Sequence, residues 1–270
     1  MATKVPGLAK PGLSMARAAG ATYAVLAAAD AALAGRGTAR AGRLRMVTKP
    51  LLMPALGTAF GATTATRRPG TNLLRGGMLS AQALSGIGDV ALLAPGRAAF
   101  LTGLTSFLGA HVCYTFAFAT APEGASQAPQ PARRLRGWTG VATAATTFLC
   151  LGPAMSRRAA RHDPALRLPV LVYVGAIMCM FAAATRLPRS LPRRARRRVV
   201  AGSAFFVLSD TVLAARQFVL CDPAPWTGTA VMATYCLGQG MIAAGVEEAL
   251  RDRSAARSGH SGHRSGTASS

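Results

Sequence analysis

Acidic residues are scarce in this chain: nine Asp and Glu stand against 31 Lys and Arg in 270 residues, a formal charge of +22. Charged residues of both signs make up only 15%, where a soluble domain carries about 25%. That shortage excludes an ordinary soluble enzyme with a large polar surface. Aromatics are few as well, at 6%. No basic face with interleaved aromatics occurs, which removes nucleic acid as a partner. The five cysteines form no C-x-x-C pair, so neither a disulfide framework nor a zinc site is implied. Cys113, Cys150, Cys179 and Cys236 fall in apolar runs and Cys221 near the end of one, where small apolar packing is their ordinary role.

What is present is hydrophobicity, at 51% apolar residues and a mean hydropathy of +0.30. Basic residues are absent from 18–35, 50–66, 76–96, 98–132, 137–156, 168–185, 199–215 and 217–250, and cluster between these stretches, most densely in Arg186–Arg198. A spanning helix needs roughly 17–25 mainly apolar residues. The pattern predicts eight, over 18–35, 47–66, 76–95, 98–121, 137–155, 168–185, 199–219 and 227–247. Several are rich in Ala and Gly, and small residues let helices pack closely in lipid. The fold class is therefore an all-α, polytopic transmembrane bundle. Lys4, Lys10 and Arg17 precede the first apolar stretch, which reads as a first span rather than a cleaved leader.

Residues 1–17 are then a cytoplasmic N-terminal segment, 18–247 the eight-helix membrane domain, and 248–270 a basic tail whose Ser, Gly and Arg content predicts disorder. His260 and His263 lie in that tail and carry no metal site. With the N-terminus cytoplasmic, 20 Lys and Arg fall on the cytoplasmic side and 11 on the other. The positive-inside bias thus places both termini in the cytoplasm. The 28 Arg against 3 Lys, with abundant Ala and Gly, is the composition of a GC-rich bacterium, and the cell (inner) membrane is the expected location.

Six of the nine acids lie in loops or at helix ends, whereas Asp30, Asp89 and Asp210 lie inside apolar spans. An ionisable group there costs about 2.5–3.5 kcal/mol on insertion scales and marks a functional position by default. Asp89 and Asp210 are matched in context, SGIGDVALLA against FFVLSDTVLAA. Upstream, Thr48-Lys49-Pro50-Leu51 matches Arg167-Leu168-Pro169-Val170, with offsets of 119 between the prolines and 121 between the aspartates. Nearly equal offsets predict two parallel four-helix repeats, about 18–121 and 137–247, on either side of a linker at 122–136. The third and seventh helices would run in one direction, with the aspartates roughly 20 and 17 Å into them and facing one cavity. Gln82 and Ser85 share a stripe with Asp89, as Ser203 does with Asp210. Lys49, His111, Tyr114, Tyr173, Tyr235 and Gln239 are the other polar residues in spans read as site lining.

These residues also carry a resemblance. Together TKPL at 48–51, GD at 88–89, FLTGLTSFLGAHVCY at 100–114, GSAFFVLSD at 202–210, and Tyr235 with Gln239 resemble the YhhN-like lysoplasmalogenase family of integral membrane proteins. The matches keep the family's order and span most of the chain. The resemblance implies a hydrolase acting on a lysophospholipid, cleaving its vinyl ether bond to a fatty aldehyde and a glycerophospho-alcohol, with Asp89 and Asp210 as the catalytic residues. Such hydrolysis proceeds by proton addition to the β-carbon and capture of the oxocarbenium ion by water. It needs one carboxyl that holds a proton and one negative charge beside the cation, which two close aspartates sharing a proton would supply. It needs no metal or other cofactor, and no ligand cluster is present in the sequence. Membrane lipids are the remaining partners, and the oligomeric state is open. A proton-coupled transporter using the same acids, or a non-catalytic scaffold in which they join helices, are the competing readings.

Overall fold

The computed structural model describes residues 11–65, 71–121 and 138–261. Among them are eight α-helices: α1 Pro11–Ala34, α2 Ala39–Thr63, α3 Asn72–Ala91, α4 Arg97–Ala119, α5 Trp138–His162, α6 Arg167–Thr185, α7 Arg193–Phe218 and α8 Trp226–Ser261. A single 3₁₀ turn, Pro164–Leu166, precedes α6, and the described residues contain no strand. The linker at 122–136, the first ten residues and the tail beyond 261 lie outside the described residues. Each expected span finds its helix, but the helices are longer than the apolar runs. α2 takes in Arg40, Arg43 and Arg45, α5 continues through Arg157, Arg158 and Arg161, and α7 begins inside the arginine cluster. Arginine is a good helix former, and its long stem lets the charge reach water from a helix end. Hydropathy therefore registers the polar boundary rather than the end of the helix.

The sequence predicts disorder from 248 onward, whereas α8 continues to Ser261 and residues 262–270 lie outside the described residues. The local sequence EEALRDRSAAR is rich in helix formers. Glu247 and Arg251, four residues apart, pair at 2.5 Å across one turn, a spacing that supports a helix.

Among the described residues, four helical segments are long and apolar enough to cross a membrane, Arg97–Ala119, Pro164–Thr185, Arg193–Phe218 and Trp226–Arg251. The first three have 28% of their apolar window buried in the protein, against 56% for the last, so α8 is the central helix. Large apolar side chains such as Val25, Ile87, Val112, Leu149, Leu168 and Leu208 point outward. This is an outside suited to lipid, and the chain is a membrane protein.

Neighbour relations repeat along the chain. α1 packs on α2, α2 on α3 and α3 on α4; likewise α5 packs on α6, α6 on α7 and α7 on α8. The two halves meet where α4 lies against α6 and where α1 and α2 lie against α8. The α7–α8 crossing is close. A Cβ on Gly202 would stand 2.7 Å from the Gly238 carbonyl oxygen, and one on Gly238 would stand 2.8 Å from that of Gly202. Only glycine permits this approach, and it fixes α7 against α8 beside the positions that carry Asp210 and Tyr235. Across the bundle, the Tyr23 hydroxyl donates to the Cys236 carbonyl at 2.7 Å and ties α1 to α8.

Candidate active site

A cavity of about 310 Å³ enters the bundle from the end where α1, α3 and α7 finish and α2, α4 and α8 begin. Asp89 and Asp210 both line it, with Lys49, Tyr173 and Tyr235. The residues just after α3 (Leu92, Leu93) and the closing residues of α7 (Arg216, Phe218) border the same cavity. Beside these and Arg45, Ser209, Thr211 and Gln217, its walls are apolar, with Leu104, Phe107, Leu151, Met155 and Ile177 among them.

Each carboxylate is held from two helices, one from each half. Asp89 on α3 receives the Tyr235 hydroxyl of α8 at 2.7 Å on Oδ2. Its Oδ1 lies 3.5 Å from the Lys49 ammonium of α2. Asp210 on α7 receives the Tyr173 hydroxyl of α6 at 2.5 Å, and His111 Nε2 of α4 lies 3.5 Å from the same oxygen. The pattern is crossed: each third helix is engaged by the second helix of its own half and the fourth helix of the other. Asp89 sits two residues before the end of α3, where the helix dipole is unfavourable to an anion. The Lys49 charge offsets that penalty. Asp210 is eight residues from the end of α7 and has no Lys or Arg ion-pair partner among the described residues.

Aromatic rings pack against the donors of both carboxylates. Phe206 packs edge-on against His111 at 4.9 Å and against Tyr235 at 5.4 Å, and Phe107 meets Tyr235 at 5.9 Å. His111 also meets the Tyr173 ring edge-on at 5.2 Å and approaches its hydroxyl at 3.1 Å through Nε2. Phe206 is fully buried, so the polar pairs lie in a dry setting where each hydrogen bond is strengthened.

The remaining residues expected at the site fall behind its wall. His111 is fully buried and touches Asp210 from the far side of the cavity lining. Tyr114 donates to the Gln239 side-chain oxygen, and Gln239 Nε2 donates to Ser85 Oγ at 3.0 Å. This buried chain joins α4, α8 and α3 away from the cavity. Gln82 and Ser203, on the aspartate stripes, are buried without a side-chain hydrogen-bond partner among the described residues. Gln82 borders a separate groove between α2 and α3 instead.

Two further features had no assigned role in the sequence. Asp30, wholly buried on α1, accepts the Thr48 hydroxyl at 2.7 Å and two nitrogens of Arg45 at 3.3–3.4 Å. Arg45 lies one turn before Lys49, and both line the cavity. Arg216 lines it from α7. Acidic residues in apolar runs flagged Asp30, but nothing in the sequence distinguishes these two arginines from others at helix ends.

Human (Homo sapiens) lysoplasmalogenase TMEM86B is 31% identical over 172 residues, covering 64% of this chain and 62% of the relative. Human lysoplasmalogenase TMEM86A is 30% identical over 165 residues, covering 59% and 60%. The match thus spans less than two thirds of the length of these curated relatives. No solved structure matches the chain. The model of the YhhN family matches residues 44–246, from the turn of α2 that carries Arg45 and Lys49 through the part of α8 that carries Tyr235 and Gln239. The chain belongs to the YhhN family.

Proposed function

We infer that this protein is a lysoplasmalogenase-like hydrolase of the bacterial cell membrane, cleaving the vinyl ether bond of a lysophospholipid. One observation carries the reading: two carboxylates from matched helices line a single apolar-walled cavity, each with its own donors. Asp210 is the proton donor. It is the more open of the two, its side chain 15% exposed against 2% for Asp89, and no ammonium or guanidinium holds it as an anion. Asp89, paired with Lys49, stays a carboxylate. The Asp210 proton passes to the β-carbon of the alkenyl chain, the double-bond electrons form the new C–H bond, and an oxocarbenium ion results. Asp89 stabilises this cation across the cavity. Water adds to the carbon bearing the ether oxygen and loses a proton to the Asp210 carboxylate. The hemiacetal then collapses to fatty aldehyde and glycerophospho-alcohol.

The remaining groups position these two. His111 and Tyr173 orient Asp210, and Tyr235 orients Asp89. The eight helices all cross the membrane as two parallel repeats with both termini cytoplasmic, so the cavity opens on the opposite face. The test is aldehyde release from a lysoplasmalogen by purified protein, with Asp89→Asn and Asp210→Asn as controls. Wild-type protein that released no aldehyde would sink the activity. Reporter fusions at residue 270 and in the 163–166 connection test the orientation.

A further inference from the structure

Three cations line the cavity: Arg45, Lys49 and Arg216. Two are matched by buried carboxylates, Arg45 by Asp30 and Lys49 by Asp89. Arg216 has no carboxylate partner among the described residues. Its Nη1 donates to the Thr227 hydroxyl and, at 3.4 Å, to the Ala224 carbonyl. Both are neutral acceptors in or just before the first turn of α8. They anchor one nitrogen and leave Nε and Nη2 without a protein partner among the described residues. The side chain is half-buried, so this charge is held in a fixed direction at the edge of an apolar cavity. A guanidinium in that state is a fork for a bidentate oxyanion, and phosphate fits it best.

Spacing identifies the kind of phosphate. Arg216 follows Asp210 by six residues on one continuous helix, a rise of about 9 Å toward the mouth. In a lysophospholipid with a vinyl ether at the first glycerol carbon, seven bonds separate the protonated β-carbon from phosphorus, an extended length of about 8 Å. The two intervals agree, and the apolar wall of Leu104, Leu151, Met155 and Ile177 suits the hydrocarbon beyond the reacting bond.

We propose that Arg216, braced by Thr227, is the headgroup anchor of this cavity, binding the lipid phosphate so that the ether bond lies at Asp210. The proposal rests on the functional reading above for the identity of the reacting bond, and only for that. Arg216 selects phosphate-bearing substrates over neutral ones and fixes the headgroup at the mouth. Arg45, already neutralised by Asp30, holds the opposite rim without taking part in selection.

The test compares two substrates, a lysoplasmalogen and the matching 1-alkenylglycerol without phosphate. For Arg216→Ala, the kcat/KM preference for the phosphate-bearing substrate should fall about tenfold to a hundredfold, the worth of a charge-assisted hydrogen bond. Most of that change should sit in KM, and Arg216→Lys should recover part of it. A second arm needs no turnover. Protein in nanodiscs is titrated with a non-cleavable 1-alkyl lysophospholipid and with 1-alkylglycerol, and inorganic phosphate is added as a competitor. Loss of phospholipid binding in Arg216→Ala, with millimolar inorganic phosphate failing to displace the lipid from wild type, supports a lipid-headgroup anchor. Equal losses for both substrates, an unchanged preference, or displacement by submillimolar phosphate would each overturn it. Selective binding without any aldehyde release would instead remove the activity and leave the anchor standing.

Discussion

The two halves of the bundle hold their aspartates in different ways. In the first, Asp89 lies against an ammonium, near the end of a helix, almost wholly out of water. In the second, the donor from the second helix is a phenol, and Asp210 faces Tyr173 and His111 with part of its side chain open to the cavity. Lys49 and Tyr173 stand on the second helices of their halves, and Tyr235 and His111 on the fourth. Asp89 thus has a cation and a hydroxyl beside it, whereas Asp210 has a hydroxyl and an imidazole. One architecture yields a carboxylate beside an ammonium in one half and a carboxylate among neutral hydroxyl and imidazole groups in the other. The asymmetry lies in the partners, since the acids themselves are identical.

Substitutions at the acids test that division most severely. Asp89→Asn and Asp210→Asn keep size and hydrogen bonding, and each should lower turnover per folded molecule more than about 10²-fold, measured as aldehyde release. Only Asp210→Ala should regain activity with a small carboxylic acid such as formate; rescue of Asp89→Ala instead would exchange the two roles. Next in size, Lys49→Met should cost stability by about 3–5 kcal/mol because it strands a buried carboxylate. Tyr173→Phe should cost about 1 kcal/mol, the loss of a hydrogen bond. Thermal melts in detergent that ranked these two equally would remove the contrast between the halves. Gly202→Ala should cost about 1–3 kcal/mol by overpacking, because its Cβ meets a carbonyl oxygen at 2.7 Å. Gly77→Ala, in the first half, meets the Ala117 methyl at 2.9 Å and a carbonyl at 3.2 Å and should cost less. The smallest expected change is His111→Gln, which should slow turnover roughly threefold to tenfold, the worth of one orienting hydrogen bond.

Much of this arrangement is legible in the sequence because charge is so rare in it. An acid within an apolar run stands out, and Lys49, His111, Tyr173 and Tyr235 are conspicuous for the same reason. The eight helices follow from the gaps between arginines. What the linear pattern does not carry is partnership. Nothing local says that Tyr235 faces Asp89, 146 residues away, rather than the nearer Asp210, because that choice is made by how the halves dock. Tyr114 and Gln239 look like site lining by composition, yet a buried chain to Ser85 absorbs them. Helix ends are also obscured, since arginines that mark a polar boundary continue the helix in α2, α5 and α7. Arg45 and Arg216 are hidden among the other basic residues by the abundance that makes the aspartates visible.

The crossed engagement of the carboxylates bears on how this chain could be divided. Were it severed between residues 121 and 138, each fragment would own one carboxylate and only half of its donors: Lys49 without Tyr235, or Tyr173 without His111. Neither fragment could assemble a finished centre by itself, and two copies of the same fragment would bring together two like acids with a duplicated set of donors. Co-expression of the unlike fragments is the one combination that restores both sets, which makes the chain a natural subject for complementation in trans.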